Sequence, residues 1–322
     1  MELVKVDPII TSLVNKKASD DNFIVSNTSA IELEIIRNDC IIPNFAKDNE
    51  STISHAEFID AVAETVSHVF QKEEILIPAV RVSHPIKGRI PEAMGKPAKE
   101  LLPYERTLYY ERMAFAIEIP SIRETIMGNS LSLVVGGIRS YNLENLYSRK
   151  SLERFKIFIG FKNFVCTNYC ISTDGFIDDL RVSKPHELIE GVYNLAAEFN
   201  VVQQLNNLKA LGNYSLSESQ FAQVLGKMKM YPYLPKGIRS NISPMLLGDS
   251  QLSALVKAYY QDENFNVAPE GDVDLFRFYN LCTGANKSSY IDSFLNRGVS
   301  LLNLSNELKK GLIDKGSSWY LS

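Results

Sequence analysis

Nowhere in the 322 residues is there a run of 18 uncharged apolar residues, so no segment is expected to cross a membrane as a helix. The first residues, Met1-Glu2-Leu3-Val4-Lys5-Val6-Asp7-Pro8, lack the basic and apolar regions of a signal peptide, and a soluble cytoplasmic protein with no membrane partner is expected. Cysteine is scarce. Cys40, Cys166, Cys170 and Cys282 are too few for a disulfide framework in a chain of this length, and reduced thiols are expected. Histidine is equally scarce (His55, His68, His84, His186), and His55 and His186 fall in first helical turns, where imidazoles are more often surface residues than acid–base catalysts. Also missing are the phosphate-cradling G-x-x-x-x-G-K-[ST] and G-x-G-x-x-G loops, the H-E-x-x-H zinc helix, the G-x-S-x-G nucleophile elbow and the EF-hand loop. No catalytic residue, metal or cofactor is assigned on this basis, and the sequence leans away from an enzyme.

What is present is ordinary globular composition, 45% hydrophobic and 22% charged, with the charge unevenly placed. Residues 1–80 carry 6 Lys/Arg against 14 Asp/Glu, residues 81–162 carry 14 against 8, and residues 163–322 carry 14 against 16, so a basic island lies between acidic flanks. Such an island either holds an anionic partner, such as DNA or RNA, or neutralises the protein's own acidic part.

Periodicity divides the chain at about residue 182. Ser54-His55-Ala56-Glu57 is a capping box opening a helix over 55–71, after short strands at 23–25 and 32–36 separated by a turn at Ser26-Asn27-Thr28. Period-two alternation at 107–119, 130–141 and 155–167 predicts an antiparallel sheet. In the last of these, Phe155, Ile157, Ile159 and Phe161 share one face, while Arg154, Lys156, Phe158, Gly160 and Lys162 share the other, so one side packs and the other is basic. Between sheet segments, residues 85–103 carry Pro85, Pro91, Pro97 and Pro103 at six-residue spacing, which excludes helix and sheet for most of the stretch and predicts a binding lid or a mobile linker. From 183 onward the pattern is helical. A long helix starts near Pro185 and runs to Val202, a second capping box lies at Ser215–Glu218, and apolar stripes occupy 251–260, 273–282 and 289–311. The fold class is therefore α+β, with a mixed region over 1–182 containing the sheet and basic loop, and a helical region over 183–322.

Cys166 and Cys170 have no further Cys or His at metal spacing and are read as packed thiols. Asp174, Asp178 and Asp179 form the densest carboxylate set, as a metal-dependent nuclease would need, although their position after a turn also suits helix entry. Ile157-Phe-Ile-Gly160 is like one strand motif of RNA-recognition domains, but its aromatic partner motif is missing and that fold is rejected.

Longer strings say more. Asp39-Cys-Ile-Ile-Pro43, Asp48-Asn-Glu-Ser-Thr-Ile-Ser-His55, Ser83-His-Pro-Ile-Lys-Gly-Arg89, Thr107-Leu-Tyr-Tyr-Glu-Arg-Met113, Gly136-Gly-Ile-Arg-Ser-Tyr-Asn-Leu-Glu-Asn-Leu-Tyr147 and Ile159-Gly-Phe-Lys-Asn-Phe-Val-Cys-Thr-Asn168 together resemble an uncharacterised family of Bacteroidales proteins found on conjugative transposons and prophage-like elements. Through Val165-Cys-Thr-Asn168 and Tyr279-Asn-Leu-Cys-Thr-Gly-Ala-Asn-Lys287 the chain is similar to a broader class of phage- and plasmid-like proteins. The resemblance brings no functional residues with it. It implies a mobile-element setting, in which proteins that handle DNA are common.

The leading expectation is a mobile-element accessory protein that binds nucleic acid, single-stranded by preference, through the sheet face and loop. Arg154, Lys156 and Lys162 with Phe158 form one strand face, Arg139, Tyr141, Arg149 and Lys150 lie nearby in sequence, and the loop adds Lys87, Arg89, Lys96 and Lys99. The alternative is a protein-interaction or self-assembly module whose basic middle meets an acidic protein surface, including its own N-terminal part in a neighbouring subunit. A metal-dependent nuclease is the third reading.

Overall fold

In the computed structural model, which describes residues 23–40, 52–141, 152–314 and 318–322, the alternating segments of the first half become strands. In chain order these are β1 (Ser29–Ile31), β2 (Ala79–Val82), β3 (Pro85–Arg89), β4 (Arg106–Tyr110), β5 (Arg112–Ile126), β6 (Asn129–Ser140), β7 (Glu153–Asn163), β8 (Tyr169–Cys170) and β9 (Phe176–Val182). Seven of them make one antiparallel sheet in the order β1-β2-β5-β6-β7, with β8 and β9 pairing different lengths of β7. The β5–β6 hairpin closes on Met127 and Gly128, whose φ values of 50° and 77° match the two left-handed positions of the turn type that suits strand twist. Pro120 cannot donate to the ladder, and β5 shifts register around it, between Ile119 and Arg123.

The strand expected over 107–119 is two strands, parted at Glu111. The first half of it, β4, leaves the sheet to pair with β3 in a separate hairpin, from Pro85 opposite Tyr110 to Arg89 opposite Arg106. Residues 85–89 are thus a strand where prolines argued against one: Pro85 is the first strand residue, where a missing donor is tolerated. The segment 32–36, expected as a strand, belongs to a helix, α1 (Leu33–Asp39), with Ile36 buried in the core.

The other helices are α2 (His55–Val69), α3 (Pro185–Glu198), α4 (Val201–Leu211), α5 (Glu218–Met230), α6 (Lys236–Arg239), α7 (Asp249–Gln261), α8 (Leu275–Asn286) and α9 (Ile291–Ile313). Ser54 and Glu57 form the expected capping box of α2. The long helix from Pro185 breaks at Phe199, and Asn200 caps α4 by accepting from the Gln203 N–H. At the second box Ser217, not Ser215, is the cap, because Ser215 and Leu216 pair as strand β10 with β11 (Val273–Asp274). The chain is α+β as expected, with its sheet in the first half and helices in the second.

Both sheet faces are covered. On the near face Met113, Phe115, Ile117, Leu133, Val135, Phe155, Ile157 and Phe161 join one core with α2, α3 and the other helices. Phe58 of α2 approaches so closely that a Cβ on Gly137 would stand 2.4 Å from its ring. On the far face Ala114, Ala116, Val134, Ile138, Phe158, Tyr169 and Ile171 pack against Ile291, Phe294, Leu295 and Val299 of α9 and against Phe23 and Ile24. Fully burying a side chain as large as Phe or Leu is worth roughly 1.5–3 kcal/mol, so this second, smaller layer adds to the stability that the main core provides. The face expected to be basic and open therefore lies under a helix.

Candidate nucleic-acid interface

Alternation correctly puts Arg154, Lys156, Phe158 and Lys162 on one face of β7, but Phe158 and Lys162 are interior, Lys156 is half-buried, and only Arg154 at the strand's start stays partly exposed. Phe158 is 1% exposed, in a cluster with Tyr169 (ring centroids 5.6 Å apart), and offers no ring to a ligand in this conformation. Lys162 is 2% exposed and pairs with Glu118 at 2.9 Å, while Ser132 donates to the other oxygen of the same carboxylate. Lys156 meets Asp178 at 2.8 Å and donates to the Asp292 carbonyl and the Asn296 side chain, tying β7 to the first turns of α9. Arg154 pairs with Asp179 at 2.6 Å. Burial raises the Asp178 and Asp179 pKa values, but hydrogen bonds and the charges of Lys156, Arg154 and Arg181 outweigh it and hold both below the usual range. These aspartates, weighed above as nuclease ligands, are the counter-charges of the basic strand.

Arg139 is likewise interior. Its guanidinium lies 4.5 Å from the ring centroids of both Tyr141 and Phe155, forms an ion pair with Glu153 and donates to the Ile53 carbonyl. Glu153 in turn accepts from the Ile53 N–H. This buried pair fixes the chain at the entrance to α2, and buried Tyr141 packs against His55 there with ring centroids 4.5 Å apart and the rings tilted by 31°. Arg149 and Lys150 lie outside the described residues.

The loop cations behave differently. Lys87 and Lys99 are exposed, Arg89 donates to the Lys96 carbonyl, and Lys96 pairs with Glu105, whose pKa is lowered by that bond and by the Leu102 N–H. The structure thus does not bring the sheet and loop cations into one solvent-facing patch.

A different surface has the properties that were expected of the sheet. Between Glu218 and Asp249 the sequence contains Lys227, Lys229, Lys236 and Arg239 and no acidic residue. It folds as α5, a 3₁₀ turn over Tyr231–Tyr233, the short α6, and an extended return to α7. Met228, Tyr231, Met245 and Leu247 are buried and anchor the segment, while Pro232 and Pro235 restrict the backbone between them. What they hold outward is Tyr233, 81% exposed, and the same stretch also exposes Met230, Ile238 and Leu246. Lys236 is exposed and has no ion partner among the described residues; Arg239 makes only a long 3.4 Å bond to the Pro232 carbonyl. Lys229 pairs with Asp249 in the open, and Lys227 lies 4.6 Å from the ring centroid of half-buried Trp319. Glu307 reaches this segment from α9 but uses its two oxygens on the Ser243 N–H and the Ser318 hydroxyl. The signal was in the sequence, hidden by counting charge over 163–322 as a block: the distance between successive acidic residues reveals it.

Two concavities lie elsewhere. A cleft of about 470 Å³ is walled by Ser26–Ser29, Ser83, His84, Arg112, Tyr290 and Ile291; carboxylates of Glu111 and Asp292 stand 3.3 and 3.7 Å from the Arg112 guanidinium. A cavity of about 100 Å³ is bordered by Ile36, Arg37, Cys40, Ser54, His55, Ala56, Tyr109 and Tyr110. His55 donates Nε2–H to the Tyr110 carbonyl at 2.8 Å, which leaves Nδ1 as an acceptor without a hydrogen-bond partner among the described residues. Burial, reinforced by the Arg139 charge, lowers its pKa to about 3, and burial raises the Cys40 pKa to about 11, so at neutral pH the cavity holds a neutral imidazole and a thiol rather than an activated pair.

The two segments of weaker resemblance, 165–168 and 279–287, touch. Asn163 and Asn168 bond the side chain and carbonyl of Asn280, and Lys287 donates to Thr167 Oγ1 at 2.8 Å and to the Cys166 carbonyl. Thr167 is left-handed at φ 53°, a costly conformation for a β-branched residue that this clasp maintains. All four cysteines are free thiols; burial raises the Cys166 pKa to about 11 and drives Cys170 and Cys282 higher still. Among the described residues no three His, Cys, Asp or Glu side chains are grouped to hold a metal, and no helix is long and apolar enough to cross a membrane.

Compared with known proteins, residues 4–321 match the model of a family described as "Domain of unknown function, B. Theta Gene description (DUF3871)". No curated protein and no solved structure matches.

Proposed function

The chain belongs to this family of unknown function, so its role has to be read from its own surface, and we propose that it binds nucleic acid, single-stranded by preference, through the 227–239 segment. The observation that carries the reading is an acid-free, proline-braced segment that presents a ring 81% exposed beside Lys236 and Arg239. Cations supply phosphate contacts, and an aromatic face supplies sequence-tolerant stacking that a duplex does not offer. The resemblance to conjugative-transposon and prophage proteins fits this role, with the bacterial cytoplasm and the nucleic acid of a mobile element as its setting. In this reading the sheet cations are structural, and no catalysis is assigned.

The test is fluorescence anisotropy with labelled single- and double-stranded oligonucleotides over a salt series. Changing Lys236 and Arg239 together to Ala should flatten the single-strand salt dependence by about 1.4 in log K against log salt, near 0.7 for each phosphate that is no longer neutralised. Tyr233→Ala should weaken single-stranded ligands by about 1–3 kcal/mol with little change in slope, because stacking releases no counterions. All three side chains are on the surface, so the variants should keep the fold. Absence of wild-type binding to either ligand at low salt ends the proposal.

A further inference from the structure

The β3–β4 hairpin and the loop joining its strands form an arm whose composition does not suit solvent. Met94 is 76% exposed, Tyr104 67% and Leu102 45%; on the same arm Lys87, Lys99 and Arg106 are exposed with no ion partner among the described residues, against the exposed Glu92 and Glu100, so its exposed charge is positive by one. Arms that expose apolar side chains together with unpaired charge are characteristic of interaction surfaces, where the apolar groups supply affinity and the charges select the partner. The molecule carries the complementary surface. On α1 and the outer side of α2, and just before them, Glu32, Glu34, Asp39, Glu57 and Glu64 are exposed, with Ile35 38% exposed among them; Arg37, the basic residue of α1, is already held by Glu34 and Asp60.

From this we infer that the occupant of the arm is a second copy of the chain, with the cationic, apolar arm of one copy lying on the acidic α1–α2 surface of the other. The placement of the two surfaces supports a closed pair. Tyr110, at the base of the arm, lines the same small cavity as Arg37 and Cys40 at the end of α1, so arm and acidic surface are neighbours on one side of the molecule. Neighbouring complementary patches can exchange reciprocally across a twofold axis, each arm reaching the other subunit's acidic surface, and the assembly then stops at two. The inference is independent of the nucleic-acid reading, since the 227–239 segment takes no part in it.

Sedimentation velocity of the full chain, without nucleic acid, decides it. The wild type should move from monomer to dimer with concentration, and the dissociation constant should rise at least tenfold between 50 and 500 mM salt, as expected of contacts between exposed charges. The double variant Lys87→Glu/Lys99→Glu should be monomeric, as should Glu34→Lys/Glu64→Lys; both change exposed side chains only, and circular dichroism should show both folded. Mixing the two variants should restore a dimer, because each supplies the surface that the other lacks. A wild type that stays monomeric up to about 100 μM, a dimer indifferent to all four substitutions, or a mixture that fails to pair would each overturn the inference.

Discussion

At the scale of single residues the most consequential finding is where charge is buried. Lys162 and Glu118 are a buried pair, and removing one partner strands the other in a low-dielectric site, so Lys162→Ala should destabilise the fold by about 3–5 kcal/mol in urea unfolding. Replacing both by apolar residues of similar volume should cost much less, since no charge is then left unpaired; a double variant as damaged as the single one would contradict this account. His55 makes a second prediction through pH. Its folded pKa of about 3 lies below the unfolded value near 6.5, so the unfolded chain takes up the proton first as pH falls. The stabilisation this group provides is full above about pH 6.5 and is lost at up to about 1.4 kcal/mol per pH unit down to about pH 3. His55→Gln should flatten that limb of a stability-against-pH curve, and an unchanged slope would show that other groups carry it. Nothing in the local sequence marks His55 as interior: first helical turns are usually exposed, and only the approach of Tyr110 and Tyr141 from distant strands encloses it.

At the scale of elements, legibility followed how local the determining forces are. The capping box at Ser54 was readable because its hydrogen bonds span three residues, and loss of such a cap, as in Ser54→Ala, should cost about 1 kcal/mol by thermal or urea unfolding. The same logic misplaced the next cap by two residues, because Ser215 and Leu216 are recruited by Val273–Asp274, a partner far along the chain. The prolines of 85–103 argued against helix and sheet for most of the stretch, yet residues 85–89 are strand β3, whose ladder depends on β4, which a reading of 85–103 alone does not see. Because the arm is a two-stranded hairpin with much of its length exposed, its amide hydrogens should exchange far faster than those of β6 and β7 in a hydrogen-exchange experiment. The comparison applies at concentrations where the chain is monomeric, and equal protection there would contradict this account.

For the whole molecule, the fold class and the two faces of β7 were legible, while the fate of the basic face was not. Alternation tells which side chains share a face; it carries no information about what covers that face. Here the apolar part of that face is covered by α9, over a hundred residues later, while the cations at 154, 156 and 162 are met by Asp179 and Asp178 of β9 and Glu118 of β5, with Arg154 and its partner still partly exposed. That late cover also has a consequence for biosynthesis. A ribosome adding roughly 5–20 residues per second completes β9 several seconds before α9 emerges, and through that interval the Phe158–Tyr169–Ile171 side of the sheet has no lid. A nascent chain stalled before Ile291 should therefore be a client for chaperones that grip apolar strands, and release from them should coincide with emergence of the 291–313 helix. The β7–α9 tie through Lys156 can form only at that point, and the order of events along the chain, more than the stability of any single strand, sets when this face of the sheet is protected.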